Sequence, residues 1–257
     1  NIHMAFVLNT LYQKPKVAVC LSGSLRSIEK CHENFLMNVI TNNKDMFDLK
    51  LFFFLPMDIN SHKITKINNE GFIIQIEKDE PLKPLNCVFN GRQSRLDSES
   101  CGGLKGWLYQ LQGIERSFEM VEIYEKQNNI TFDYILRIRH DVLFIEKINF
   151  AELVPDRLNI PYFHKWFGLN DRFAFGPRDM MVIYMKMYSN LYEDCNDGTL
   201  KIKNAEWYCK YNLEKRNVNY TENKEILFNR VRKDGKVSSD CKKGYEMTSN
   251  TGELIEH

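Results

Sequence analysis

The stretch Phe132-Asp-Tyr-Ile-Leu-Arg-Ile-Arg-His-Asp141 decides how this chain folds and what it binds, because an apolar run ends there in two arginines and an aspartate. In a strand, successive side chains point to opposite faces of the sheet. One face would carry Ile135, Arg137, Arg139 and Asp141, and the other Tyr134, Leu136, Ile138 and His140. Two guanidinium groups at the end of a buried strand need an anion, because an unpaired buried charge is costly.

The chemistry of these side chains predicts a ligand site. Guanidinium groups match a diphosphate or a carboxylate with paired donors, so Arg137 and Arg139 are candidate anion ligands. Asp141 adds a hard oxygen ligand that suits a divalent metal such as Mn²⁺ or Mg²⁺. The plainer alternative is a structural salt-bridge cluster in which Asp133 or Asp141 neutralises the arginines.

The segments on either side of this stretch predict one α/β domain, with a mostly parallel central sheet flanked by helices. Apolar runs at residues 16–21, 48–55 and 72–76 are typical of buried strands. A helical pattern follows the first run, and a long amphipathic helix is predicted over residues 104–126. Because strands alternate with helices, ligands are expected beyond the carboxyl ends of the strands.

The remaining segments set the boundaries of this domain, which we expect to cover residues 5–232. Residues 1–4 are typical of a cloning remnant before a native methionine, and residues 233–257 predict a polar, frayed tail. Residues 78–103 predict a long loop that is either functional or mobile. Further elements are expected at Leu158–Pro161, a strand at Arg172–Phe175, a helix from Met180 to Leu191 and another at Glu206–Leu213.

Composition limits the partners. Lys and Arg number 35 against 34 Asp and Glu, so no global basic field would attract nucleic acid, and none is expected as a partner. No apolar run approaches the ~18 residues of a membrane span.

The seven cysteines form no Cys-x-x-Cys pair, which predicts reduced thiols without a zinc or redox motif. These features favour the cytoplasm, although a luminal location stays open.

A polar turn follows the first predicted strand, with the sequence Ser22-Gly-Ser-Leu-Arg26. It lacks the lysine of a P-loop and the glycine spacing of a dinucleotide fingerprint. Backbone donors and hydroxyls of Ser22, Gly23 and Ser24 at a helix start could face a nucleotide, with Arg26 reaching its phosphate. The plainer alternative is an ordinary turn with a serine cap.

Three further polar residues follow predicted elements. Asp58, just past the second strand, could accept hydrogen bonds from a base or a ribose, or only form a turn after Pro56. Lys105, near the start of the long helix, could touch a phosphate. Gln110 lies on the same helix, and a solvated helix face is the alternative for both residues.

The segment Gly168-Leu-Asn-Asp-Arg-Phe-Ala-Phe-Gly176 places Asp171 in a turn just before an apolar strand, beside Trp166 and Phe167. A carboxylate among aromatic groups at the mouth of a strand can act as a general base, with its pKa raised by partial burial unless Arg172 cancels that effect. The aromatic side chains would offer an apolar wall beside it. The alternative is an aspartate that caps a turn or pairs with Arg172.

Taken together, these motifs resemble nucleotide-sugar glycosyltransferases of the GT-A fold. The resemblance covers roughly residues 16–215 and rests on the order of Cys-Leu-Ser-Gly-Ser-Leu-Arg, the Arg-x-Arg-x-Asp strand and Gly-Leu-Asn-Asp-Arg-Phe-Ala-Phe-Gly. It is nearest to enzymes of large algal viruses and to plant and bacterial proteins with that strand. A viral enzyme would act in the host cytoplasm.

The resemblance implies a single GT-A-like, Rossmann-like domain that transfers a sugar from a nucleoside diphosphate, expected to be UDP, to a glycan or glycoprotein. It implies Asp141 as the remnant of an Asp-x-Asp metal motif, whose first aspartate is replaced here by Arg139. In an inverting enzyme Asp171 would be the base, with Glu206 as the next carboxylate. A nucleotide- or carbohydrate-binding module and a nucleotidyltransferase are the alternatives.

Overall fold

The structure is a computed structural model that describes residues 13–67, 70–93, 102–241, 245–247 and 254–256. The expected cloning remnant at residues 1–4 lies outside these ranges, as do residues 94–101 of the predicted long loop. The strands are β1 (Lys16–Ser22), β2 (Asp48–Pro56), β3 (Ile73–Glu77), β4 (Val88–Phe89), β5 (Arg92–Gln93), β6 (Tyr134–Arg139), β7 (Val142–Phe144), β8 (Leu158–Pro161), β9 (Phe173–Pro177), β10 (Lys201–Ile202), β11 (Tyr220–Asn223), β12 (Phe228–Arg230), β13 (Tyr245–Met247) and β14 (Leu254–Glu256).

Five α-helices accompany the strands. They are α1 (Ile28–Phe35), α2 (Gly102–Asn128), α3 (Arg178–Met185), α4 (Met187–Asp194) and α5 (Ala205–Lys215). A π-helical turn at Leu36–Thr41 continues α1. None of the helices in the described part of the chain combines the length and the apolar character that a membrane crossing requires.

Seven strands form the central sheet in the order β11-β8-β9-β6-β1-β2-β3. Strand β9 is antiparallel to both of its neighbours, and the other pairings in this sheet are parallel. The predicted α/β class with a mostly parallel sheet is therefore confirmed. Because β1, β2, β3 and β6 are parallel neighbours, their carboxyl ends meet at one edge of the sheet.

Two apolar clusters cover the two faces of the sheet. Helix α2 lies on one face, where its buried Leu108, Ile114 and Phe118 belong to the same cluster as Ile135 of β6. Leu136 and Ile138 belong to the cluster on the opposite face. The alternation predicted for β6 is thus confirmed. It directs Arg137, which is 1% exposed, into the side that α2 covers.

The helix predicted over Met180–Leu191 is divided into α3 and α4 at Lys186. Side-chain amides account for the break. Asn190 and Asn212 both donate to the carbonyl oxygen of Ile183, at 3.1 and 3.2 Å. In a continuous helix this carbonyl would accept from the backbone N–H of Met187. Competing side-chain donors therefore end the first helix.

The predicted polar tail begins as part of the domain. Asp240 and Cys241 are buried in it, and the carboxylate of Asp240 lies between Arg230 and His164. Arg230 donates to both oxygens of Asp240, and the His164 Nε2 atom lies 3.0 Å from its Oδ1 atom. The backbone N–H of Cys241 also donates to Asn229, at 2.9 Å. The expectation of fraying is therefore wrong for Asp240 and Cys241, because both are buried and contact the domain.

Candidate functional site

A cavity of about 660 Å³ opens at the carboxyl ends of β1, β2 and β6. One wall is a face of α2, and another is the turn that follows β12. The structure brings eight of the predicted site residues to this cavity, namely Ser22, Gly23, Ser24, Arg26, Asp58, Arg137, Arg139 and Asp141. Residues 132–141 and the Ser22–Arg26 turn therefore meet, as the parallel sheet requires.

The turn after β1 is built around Gly23, whose φ of +111° lies in the region that favours glycine. Its backbone N–H donates to Phe54 of the neighbouring strand at 3.3 Å. Ser24 accepts from the amide of Asn60 at 3.1 Å. Ser27 lies at the N-cap of α1, but its hydroxyl donates to the carbonyl of Val231 at 3.0 Å and caps nothing. The turn thus bridges β2 and the segment after β12.

Acidic side chains lie at the β2–β3 end of the cavity. Asp58 follows β2, where its carboxylate accepts from the backbone N–H of Asn60 at 2.7 Å, as in the turn alternative. Asp79 follows β3 and also lines the cavity. Burial and the charge of Asp58 raise the pKa of Asp79. With strands ~4.8 Å apart, β3 lies roughly 14 Å from β6, so these carboxylates are separated from Arg139 across the sheet.

Arg139 and Asp141 form a bidentate ion pair at the β6 end. Arg139 donates from Nε and Nη2 to the two carboxylate oxygens of Asp141, at 2.8 and 2.7 Å. Burial would raise the pKa of Asp141, but Arg139 outweighs this and lowers it. A metal at Asp141 would require this pair to open. In the described ranges, no three His, Cys, Asp or Glu side chains are grouped closely enough to hold an ion.

Gln110 of α2 connects this ion pair to Asp171. Its Oε1 atom accepts from Nη1 of Arg139 at 3.1 Å, and its Nε2 atom donates to Oδ2 of Asp171 at 2.8 Å. Arginine only donates and a carboxylate only accepts, so the orientation of the amide is fixed. The solvated helix face expected for Gln110 is therefore not what the structure shows.

Asp171 lies behind this connection and is 7% exposed. Its backbone carbonyl accepts from Nη1 of Arg137 at 2.5 Å and from the hydroxyl of Tyr184 at 3.2 Å. Burial would raise the pKa of its carboxyl group, but the surrounding arginines and Gln110 outweigh that effect and lower it. The upward shift expected in the absence of cancellation by Arg172 does not occur, because three cations converge here, one adjacent in sequence and two from β6. They are Arg172, Arg137 and Arg139.

The pKa of Glu206, in the first turn of α5, is shifted in the opposite direction to that of Asp171. Burial and the negative charge of Asp171 raise its pKa to about 7. Its Oε1 atom lies 3.4 Å from Nη2 of Arg172, whose Nε and Nη1 atoms are buried without a hydrogen-bond partner among the described residues. Two neighbouring carboxyl groups thus have pKa values pushed in opposite directions, which is a common arrangement in acid–base sites.

A strained loop carries the aromatic residues before Asp171. His164, Trp166 and Phe167 have φ values of 56°, 39° and 72°, a conformation that non-glycine residues seldom adopt. Asn204 holds the loop by donating to the carbonyl of Trp166 at 2.7 Å. The Phe167 ring is 54% exposed, so it is open to contact with a ligand. Backbone strain of this kind is concentrated at functional sites.

Lys105 does not join the lining of the cavity formed by the described residues. Gly106, Gln110 and Gly113 of α2 do, with the spacing of one helix face. Lys105 immediately precedes Gly106, and successive residues of an α-helix are about 100° apart around its axis. Lys105 is therefore turned away from the face that lines the cavity, and it is exposed.

Several lining residues were missed in the sequence. These are Asp79, Tyr109, His140, Arg232 and Lys233. The spacing of Gly106, Gln110 and Gly113 could have identified the helix face that includes Tyr109. Arg232 and Lys233 gave no local signal, because they reach the site through the pairing of β12 with β7.

Fold and site define an α/β domain with a charged ligand cavity at the carboxyl ends of its parallel strands. The chain belongs to the family described as Domain of unknown function (DUF7796), whose model matches residues 12–232. This range holds the predicted site residues from Ser22 to Glu206 and ends at Arg232. A search of curated proteins found no match to this chain.

Proposed function

We propose that this domain is a glycosyltransferase that moves a sugar from a nucleoside diphosphate sugar, linked to UDP, to a hydroxyl group of a glycan or glycoprotein. The observation that carries this proposal is the polarity of the cavity. Carboxylates of Asp58 and Asp79 lie at the β2–β3 end, and arginines lie at the β1 and β6 ends. A nucleotide has the matching polarity, because its base and ribose donate hydrogen bonds and its diphosphate is an anion.

The dimensions of the cavity support a ligand of this size. Its volume of about 660 Å³ is within the usual range for small-molecule sites, ~300–1,000 Å³. In the proposed pose, Asp58 binds the base or the ribose, and the turn at Ser22–Ser24 with Arg26 binds phosphate. Arg139 then faces the diphosphate at the end of β6. Asp171 lies beyond Gln110, where the transferred sugar would meet an acceptor.

The reaction assigns a role to Asp171. The bond between the anomeric carbon and the diphosphate oxygen breaks, and its electron pair leaves with the diphosphate. The acceptor oxygen forms the new bond, and its proton passes to the carboxylate of Asp171. The lowered pKa keeps this carboxylate ionised at neutral pH, although it also makes it a weaker base. Trp166 and Phe167 would bind the acceptor ring.

The partners follow from the same site. The donor is a nucleotide sugar, the acceptor is a glycan or glycoprotein, and nucleic acid has no role. Six buried cysteines of the described residues form no disulfide bond with one another, which supports a reaction in the cytoplasm. The resemblance to viral GT-A enzymes adds the host cytoplasm as the proposed setting if the chain is viral.

Calorimetry with UDP and a panel of UDP-sugars tests the binding step, and release of UDP in the presence of glycan acceptors tests turnover. Asp171→Asn should keep donor affinity and lose transfer by roughly 10²–10⁴-fold. If transfer persists there and disappears in Glu206→Gln, then Glu206 is the base. Tight binding without turnover would identify a binding module, and release of pyrophosphate from a nucleoside triphosphate would identify a nucleotidyltransferase.

A further inference from the structure

The ion pair at the end of β6 suggests how the site handles the charge of its substrate. We propose that the guanidinium group of Arg139, held by Asp141 and Gln110, takes the place of a divalent metal ion at the diphosphate. This inference rests on the proposed nucleotide-sugar function. It assigns to Asp141 the role of positioning Arg139, in contrast to the metal ligand that the sequence predicts.

The geometry of Arg139 fits this role. It is the last residue of β6, its side chain is 23% exposed, and it lines the cavity. Three of its five N–H groups are occupied by Asp141 and Gln110 in the described contacts. The guanidinium plane is therefore fixed from two sides, and one N–H on each terminal nitrogen is left to donate. A fixed fork of donors suits a diphosphate.

The surroundings of Asp141 are unfavourable for a dication. Both of its oxygens already accept from Arg139. Arg139 and Arg230 both stabilise its negative charge, so the carboxylate stands in a positive field. A divalent ion would have to displace one arginine and approach the other. Mg²⁺ in particular requires near-ideal octahedral geometry, which a single, already paired carboxylate does not prepare.

The cavity supplies other cations for the diphosphate. Arg26 follows β1, and Arg232 and Lys233 line the wall formed by the turn after β12. This turn lies close to the ion pair, because the backbone N–H of Val231 donates to the carbonyl of Asp141 at 2.7 Å. As the bond to the anomeric carbon breaks, the electron pair moves to the diphosphate oxygen. Preorganised donors at that oxygen stabilise the developing charge.

The test measures UDP binding by calorimetry, once with EDTA and once with Mn²⁺, and Mn²⁺ binding to the protein alone by electron paramagnetic resonance. We expect UDP affinities within about twofold of each other in the two buffers. Arg139→Gln should weaken UDP binding by about 30-fold, the lower end for a charged contact because Arg139 is partly exposed. Asp141→Asn should stay within about tenfold of the wild type and remain independent of Mn²⁺.

Arg116→Gln is the matched control. Arg116 is also partly buried and paired with Glu77 and Glu119, but it lies outside the cavity, so UDP affinity should not change. Wild-type binding that requires Mn²⁺, together with its loss in Asp141→Asn, would overturn this inference and leave the proposed function standing. A wild-type protein that binds no UDP in either buffer overturns both. If Asp141→Asn fails to fold, the comparison of wild-type UDP affinity in EDTA and in Mn²⁺ decides alone.

Discussion

A methyl group at Gly168 should disrupt the packing contact between the strained loop and α5. A Cβ atom built there would lie 1.8 Å from the carbonyl oxygen of Glu206 and 2.4 Å from the backbone nitrogen of Trp207. Both contacts are with backbone atoms in the first turn of a helix, so no side chain can rotate away. Overpacking costs ~1–3 kcal/mol, and this rigid contact puts Gly168→Ala at the upper end, about 3 kcal/mol.

Urea titration and thermal unfolding measure this loss. For a chain of this size, 1 kcal/mol changes Tm by ~2–4 °C, so Gly168→Ala should lower Tm by roughly 6–12 °C. Gly106→Ala is the control, since no described atom lies within 4 Å of the added Cβ atom. Alanine in place of a helix glycine should stabilise the protein by ~0.5–1 kcal/mol.

The same substitution has a consequence for the site. The backbone N–H of Leu169 donates to the carbonyl of Glu206 at 3.0 Å, two residues before Asp171. Displacing the loop would therefore move both carboxyl groups, and transfer should fall more than UDP affinity. An unchanged Tm in Gly168→Ala would show that loop and helix do not approach this closely, and the proposed geometry of the two carboxyl groups would then be wrong.

Three further predictions follow from buried charges. The pKa of Glu206 is raised from 4.5 to about 7, so the native state keeps a proton that the unfolded chain loses, and stability falls as pH rises through that window. Between pH 5 and 8, the free energy of unfolding measured by urea titration should fall by about 3 kcal/mol less in Glu206→Gln than in the wild type. The same pH dependence in both proteins would contradict the raised pKa of Glu206. Gln110→Glu places a second carboxylate beside Asp171, which should raise the pKa of Asp171 and move the acid limb of the kcat/KM–pH profile to higher pH. An acid limb at the same pH as in the wild type would exclude contact between residue 110 and a catalytic Asp171. Asp240→Asn removes the buried carboxylate that pairs with Arg230 and should cost ~3 kcal/mol at pH 7. An unchanged urea midpoint would refute this prediction.

The sequence by itself determined most strands of the central sheet, its long helix and the edge of the sheet where the site lies. Alternation along residues 132–141 placed Arg137 with Ile135 on one face, which α2 covers, and the apolar periodicity of α2 gave each of its ends to within two residues. These features are local, because the period of a strand or a helix is set by its own backbone. Parallel strands then bring their carboxyl ends together, so the turn at Ser22 and the end of β6 meet.

Only the tertiary structure decided which charges are partners. Alternation shows the face on which Arg139 lies, but not that Asp141 and Gln110 hold it. Asp171 follows the same principle, since two of the arginines that lower its pKa lie on β6, remote from it in sequence, and add their Coulomb effects to that of Arg172. Asp240 was assigned to a tail for that reason, because its partners Arg230 and His164 are brought to it only by folding.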